Sequence, residues 1–308
     1  MNTFGQQLRL TTFGESHGVA VGGVLDGLPS GLSIDMARVA AALTRRRKGD
    51  TCQQAVTQRQ EDDTVEWLSG LLNGTTTGQP VAFLVHNNDV RSDDYDVLRD
   101  VCRPGHADYS WQCRYGLRDW RGGGRASGRE TVVRVVAGSV AQQLCEQRWP
   151  DFAIHAEVDG QHCVACTVSG IPAGVGNPLF DRLNARLAYA MMSIPSAIGF
   201  EMGAGFAATE WDAATWRDEW NSDGTTQTNH CGGVQGGVSN GMPITFRVAF
   251  HAPVTTTEEA MVCLDASHKT LQTVNVEGRH DHDHIGRLPV VVEAMACLVV
   301  AELGKVES

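Results

Sequence analysis

Residues 121–136 read Arg121-Gly122-Gly123-Gly124-Arg125-Ala126-Ser127-Gly128-Arg129-Glu130-Thr131-Val132-Val133-Arg134-Val135-Val136. Ser127-x-x-Glu130 has the form of a capping box, and Val132, Val133, Val135, Val136, Val140 and Leu144 follow at helical spacing. The spacing predicts a helix from Ser127 that stops by Trp149-Pro150. A glycine-rich loop running into a helix N-terminus exposes N–H groups at the positive end of the helix dipole. Such an end attracts anions, and Arg129 sits in its first turn. Neither Gly-x-x-x-x-Gly-Lys nor Gly-x-Gly-x-x-Gly in its strand-to-helix context is present, so the loop is neither a P-loop nor a dinucleotide fingerprint. A plain flexible loop before an ordinary helix is the alternative.

Outward from this helix, Gly18–Leu28 reads as an apolar strand closed by a Pro29-Ser30-Gly31 turn. Ser33 then caps a helix running to Lys48, with Ile34, Val39 and Leu43 on its apolar side and Gly49 as its stop. Arg45, Arg46, Arg47 and Lys48 fill its last turn. Cations there complement the dipole, but four in a row exceed that need and point to a ligand. Val81–His86 and Ile244–Phe250 read as strands, and 87–103 as a polar loop. Asp181–Met192 and Leu288–Leu303 read as helices, and the alternation over 153–168 reads as strand. Short strands alternating with a few helices through glycine-rich turns favour a mixed α+β fold over a βαβ series. No linker or short repeat divides residues 1–308, so a single domain is expected.

The chain has 308 residues, and 42% of them are hydrophobic, enough for one large core. A net charge of −11 argues against a general nucleic-acid or anionic-membrane surface. Arginine clusters in such an acidic protein indicate a local anion site, because the guanidinium fork binds carboxylate or phosphate bidentately. No apolar run reaches membrane-spanning length, and the N-terminus carries no signal core. Nine irregularly spaced cysteines read as reduced thiols of the cytosol. Cys163-x-x-Cys166 lacks the second pair of a zinc ribbon.

Three further motifs carry chemistry. Gly14-Glu15-Ser16-His17-Gly18 presents a Ser-His pair from a tight turn, and Arg103-Pro104-Gly105-His106-Ala107-Asp108 presents a second histidine in the same way. Two histidines on glycine-flanked turns suggest two proton-transfer positions, although turns of this kind also form with their side chains merely bonding the backbone. Gly278-Arg279-His280-Asp281-His282-Asp283-His284 holds alternating histidines that suit either a metal or a solvated loop.

Taken in order with Ala190-Met-Met-Ser-Ile-Pro195, Asn229-His-x-Gly-Gly233 and Gly236-Gly-x-Ser-Asn-Gly241, these segments resemble the chorismate synthases from the N-terminus to about Leu303. The resemblance implies a compact α+β sandwich of antiparallel sheets and helices built from two related halves, assembled as a homotetramer. It implies a lyase that forms chorismate from 5-enolpyruvylshikimate 3-phosphate by 1,4-anti elimination, in aromatic amino-acid biosynthesis, with reduced FMN required but not consumed. The implied catalytic residues are His17, His106 and Asp281. Those implied to bind substrate are Arg47, Arg103, Ser127, Arg129 and Arg279. The implied cofactor site is His106, Asn229, Gln235, Thr256 and Asp281. The expected partner is the small phosphorylated substrate, with no metal, nucleic acid or membrane.

The sequence departs from the family pattern at Gln54, where an arginine is usual, and at Ala252-Pro253, where Lys-Pro is usual. His282-Asp283 stands in place of Pro-Cys, and 150–171 is short, as though a helix and adjoining strand were missing. A second reading is therefore a non-catalytic homologue that keeps the fold for binding or assembly, and a distant third is a metal-dependent lyase using His280–His284.

Overall fold

The computed structural model describes residues 1–49, 61–254, 260–275 and 284–304. The first half supplies β1 (Thr3–Phe4), β2 (Arg9–Phe13), β3 (Ala20–Asp26), α1 (Met36–Lys48), β4 (Val65–Trp67), β5 (Val81–His86), α2 (Asp108–Tyr115) and α3 (Thr131–Arg148). Its strands form one antiparallel sheet in the order β1-β2-β3-β5-β4. The second half supplies β6 (Ala153–Val158), β7 (Cys163–Ser169), α4 (Leu183–Met192), β8 (Ala197–Met202), β9 (Ile244–Phe250) and α5 (Leu288–Leu303). Its sheet is again antiparallel, in the order β6-β7-β9-β8. Short two- and three-stranded ribbons decorate both halves.

Helices α3 and α5 lie between the sheets. α3 packs on β3 and β5, α5 on β6 and β7, and the two helices pack on each other. The contact is close: a Cβ on Gly138 would lie 2.3 Å from the Cα of Ala294. α5 is buried on every side from Leu288 to Glu302, as expected of a helix apolar all round. Its two carboxylates are compensated, as buried charges must be. Glu293 accepts from Arg45 (2.7 and 3.1 Å) and from the Ala156 N–H (2.9 Å). Glu302 accepts from Arg186 and from the Gln7 N–H (2.8 Å).

Strands 81–86 and 244–250 and helix 288–303 fall where the sequence pattern puts them. Three local expectations change. Helix α1 is capped by Asp35 and not Ser33: Asp35 Oδ1 accepts from the N–H groups of Ala37 (2.9 Å) and Arg38 (3.2 Å), while Ser33 is paired with Thr75 in a ribbon. The helix expected from Asp181 begins at Leu183, after a 3-10 turn at Leu179–Asp181. Ser127 begins a 3-10 turn rather than a closed capping box, because Glu130 turns its carboxylate to Thr12 (3.1 Å) and Arg134 (2.8 Å).

The stretch over 153–168 is a hairpin of β6 and β7, paired over six residues on each strand. Strand alternation buries Cys166 and turns Cys163 to the opposite face, so the two thiols cannot close on one ion.

Candidate active site

A cavity of about 760 Å³ opens beside the N-terminus of α3 and is lined by His17, Arg47, Arg103, His106, Ser127 and Arg129. Six residues expected at the site from four separate segments thus converge. Arg46, Arg125, Arg134 and Arg287 join the wall, giving seven arginines against the carboxylates Glu61, Asp63, Asp108 and Glu130. In a chain of net charge −11, this is a local reversal of sign, and it suits a polyanionic ligand.

The hub is the triglycine loop. Gly122, Gly123 and Gly124 have φ of 57°, 81° and 54°, a left-handed run that side chains oppose. The absence of side chains also leaves room. A Cβ on Gly122 would meet His17, and one on Gly123 would stand 3.9 Å from both Arg103 Nη2 and Ser127 Cβ. Ser16 N–H donates to the Gly124 carbonyl (3.2 Å), fixing the histidine turn to the loop. His17 Nδ1 lies 3.1 Å from Ser92 Oγ, and its ring meets Tyr95 edge-on at 5.1 Å.

The arginines are held by buried acceptors. Arg103 makes a bidentate pair with Asp108 (2.9 and 3.1 Å), both nearly solvent-free. Burial pushes the Asp108 carboxyl up, but the Arg103 bonds and the nearby Arg118 outweigh it and hold the group below its ordinary value. Arg129 ion-pairs with Asp63 and also donates to Asn87 Oδ1 (2.8 Å) and the His86 carbonyl (3.0 Å). Arg46 donates to Thr131 Oγ1 and the Gly128 carbonyl, each at 2.8 Å, and faces Asp63 at 3.8 Å. Arg47 donates to the Glu61 carbonyl (2.6 Å). Of the basic run ending α1, Arg45 serves the core through Glu293, while Arg46 and Arg47 reach the cavity.

Two expected cofactor residues are not brought to this cavity. Asn229 donates to the Pro243 carbonyl (2.8 Å), and Gln235 is exposed in a ribbon paired with Val238. Gln54, Thr256, Arg279 and Asp281 lie outside the described residues. So do His280 and His282, whereas His284 lines the cavity with its Nε2 2.9 Å from Ser196 Oγ. Among the described residues, no three His, Cys, Asp or Glu side chains are grouped to hold a metal ion. Sequence reasoning passed over Asp63 and Asn87. Nothing in the acidic run Glu61-Asp62-Asp63 marks the member that turns inward, and Asn87 reads as the first residue of a polar loop.

A sequence model of the chorismate synthase family matches residues 8–162 and 160–304, and the two spans meet in the turn joining β6 to β7. A chorismate synthase of Christiangramia forsetii is 42% identical over 345 aligned positions, covering 98% of this chain and 96% of the relative. One from Methanocella arvoryzae is 39% identical, covering 98% and 93%. The aligned length exceeds the 308 residues here, so these relatives carry residues that this chain lacks. A solved structure of a chorismate synthase superposes with a TM-score of 0.72 at 25% identity, covering 97% of this chain and 92% of the other. Motif order, fold and family match agree, and the chain belongs to the chorismate synthase family.

Proposed function

We propose that this chain converts 5-enolpyruvylshikimate 3-phosphate to chorismate and phosphate. The observation that carries the reading is the convergence of His17, His106, Arg47, Arg103, Ser127 and Arg129 on one arginine-rich cavity. The substrate bears two carboxylates and a phosphate, so several guanidinium groups must meet it, and Arg46, Arg47, Arg103 and Arg129 are among the seven that line the cavity. Their buried partners keep them in place before any ligand arrives, which reduces the ordering cost of binding. In this reading His17 gives a proton to the departing phosphate oxygen, and His106 and Asp281 manage the proton at the cofactor.

The size and lining of the cavity support reduced FMN as its cofactor. Its volume is within the range of cofactor pockets, and Trp111, Leu288 and Val291 supply apolar surface beside the arginines. Of the residues assigned to the cofactor, His106 lines the cavity. When bound, reduced flavin lends electron density to the substrate, a task that side chains do poorly.

A cytoplasmic homotetramer is part of the same proposal. No helix among the described residues is long and apolar enough to cross a membrane. Phe180 is 99% exposed and Phe206 76% exposed, with Leu179 and Ile198 also outside the core, as surfaces awaiting another subunit would be. The non-catalytic alternative gains no support from the cavity, where the expected proton-handling residues His17 and His106 both stand.

The test is anaerobic incubation of the protein with substrate and chemically reduced FMN, with phosphate release and chorismate absorbance followed. Stoichiometric turnover after each substrate addition, with none in oxidised FMN, is the expected result. Failure to bind either flavin form, together with no phosphate release, overturns the reading. Light scattering checks the assembly.

A further inference from the structure

We propose that Asn87 is a positioning residue that locks the proton-donating His17 turn to the anion-binding Arg129, so that the two are set as one unit. The inference rests on the roles given to His17 and Arg129 above. Asn87 follows β5 directly, and its own N–H donates to the Val19 carbonyl (3.0 Å). Its side-chain oxygen accepts from Arg129 Nε (2.8 Å), and its amide nitrogen donates to the carbonyls of Glu15 (3.0 Å) and Gly18 (2.9 Å).

The four residues Glu15–Gly18 form a tight turn, closed by the Gly18 N–H on the Glu15 carbonyl (3.0 Å), with Ser16 and His17 as its central pair. Asn87 therefore grips both ends of the turn that carries His17. The amide orientation is forced by its neighbours: a guanidinium only donates and carbonyls only accept, so the oxygen must face Arg129 and the nitrogen the turn. A carboxylate in this position lacks the two donors, and an aliphatic side chain lacks everything. An amide is the group that satisfies all three partners at once.

This separates two functions of one side chain. Asn87→Asp keeps the acceptor for Arg129 but removes both donors and sets a charge against two carbonyls. Asn87→Leu removes all three bonds. Misplacing a reacting group by about 1 Å costs roughly a hundredfold in rate, so the turn arm bears on turnover and the arginine arm on binding.

The experiment measures kcat and KM, calorimetric binding of inorganic phosphate as the probe of the arginine cluster, and the ring signal of His17 by NMR with labelled histidine, assigned by its loss in His17→Ala. For Asn87→Asp the expected result is phosphate affinity within about threefold of the parent, kcat down at least roughly tenfold and a displaced His17 signal. For Asn87→Leu, affinity and kcat both fall. Asn87→Asp with parental kcat and an unmoved His17 signal overturns the proposal. So does a parallel loss of affinity and kcat in Asn87→Asp that tracks the unfolded fraction seen by circular dichroism. If the parent itself turns over no substrate, the functional reading fails, while the NMR and phosphate measurements still decide the role of Asn87.

Discussion

The ring of His17 rests on Gly122: a Cβ placed on that glycine would lie 2.4 Å from both Cδ2 and Nε2 of the imidazole. Real side-chain carbons do not approach ring atoms so closely, and the φ of 57° at Gly122 adds a left-handed constraint. The glycine therefore defines where the imidazole stands.

Gly122→Ala is expected to displace His17 and lower kcat by about a hundredfold. It should cost on the order of 1–3 kcal/mol of stability through backbone strain. Steady-state kinetics and urea unfolding check the two effects. A variant with parental kcat would show that His17 need not stand where the loop holds it.

His17→Ala and His106→Ala are each expected to lose about a hundredfold or more in turnover. Both side chains are only half-buried and project from turns, so the far-ultraviolet circular dichroism should be unchanged. Near-parental activity in either variant would remove that residue from proton transfer.

Asp63 is a buried carboxylate between Arg129 and Arg46, with its side chain 2% exposed and φ of 53°. Asparagine tolerates left-handed backbone, so Asp63→Asn removes the charge without changing the turn. Leaving two buried guanidinium groups short of their counter-ion should destabilise the fold by about 3–5 kcal/mol and raise KM. Denaturant unfolding and substrate titration measure both. An unchanged unfolding midpoint would mean that the arginines find other acceptors.

Asp218 gives a pH prediction. Burial pushes its carboxyl up, but the Cys231 N–H, the Thr228 hydroxyl and the His230 N–H bond the ionised form and pull it down to about 2. The folded value lies below the ordinary unfolded value of about 3.9. The stabilisation is therefore present above about pH 4 and is lost as the pH falls through about 2. Asp218→Asn should flatten the stability curve between those limits, as measured by urea midpoints at stepped pH. An identical slope would contradict the assignment.

The sequence by itself determined the elements with strong periodicity and the motifs with fixed local geometry. Helix 288–303 was legible because an apolar helix buried on all sides writes itself in composition, and strand 244–250 because alternation marks its two faces. The glycine-flanked histidines and the arginine-rich helix start were legible because a turn chemistry and a charge type announce themselves within a few residues. What lies across the fold was not. Successive residues of a helix point about 100° apart, so the run 45–48 could not say that Arg45 serves Glu293 while Arg46 and Arg47 face the cavity. Ser33 lost its capping role to Asp35 because a ribbon claimed it. The capping box did not close because Glu130 had distant partners in Thr12 and a near one in Arg134. Asp63 and Asn87 act through arginines and carbonyls brought to them from 17 to 72 residues away. No local pattern encodes such pairings. They follow from the packing of α3 against its sheet, which sets the anion site and the histidine turn side by side.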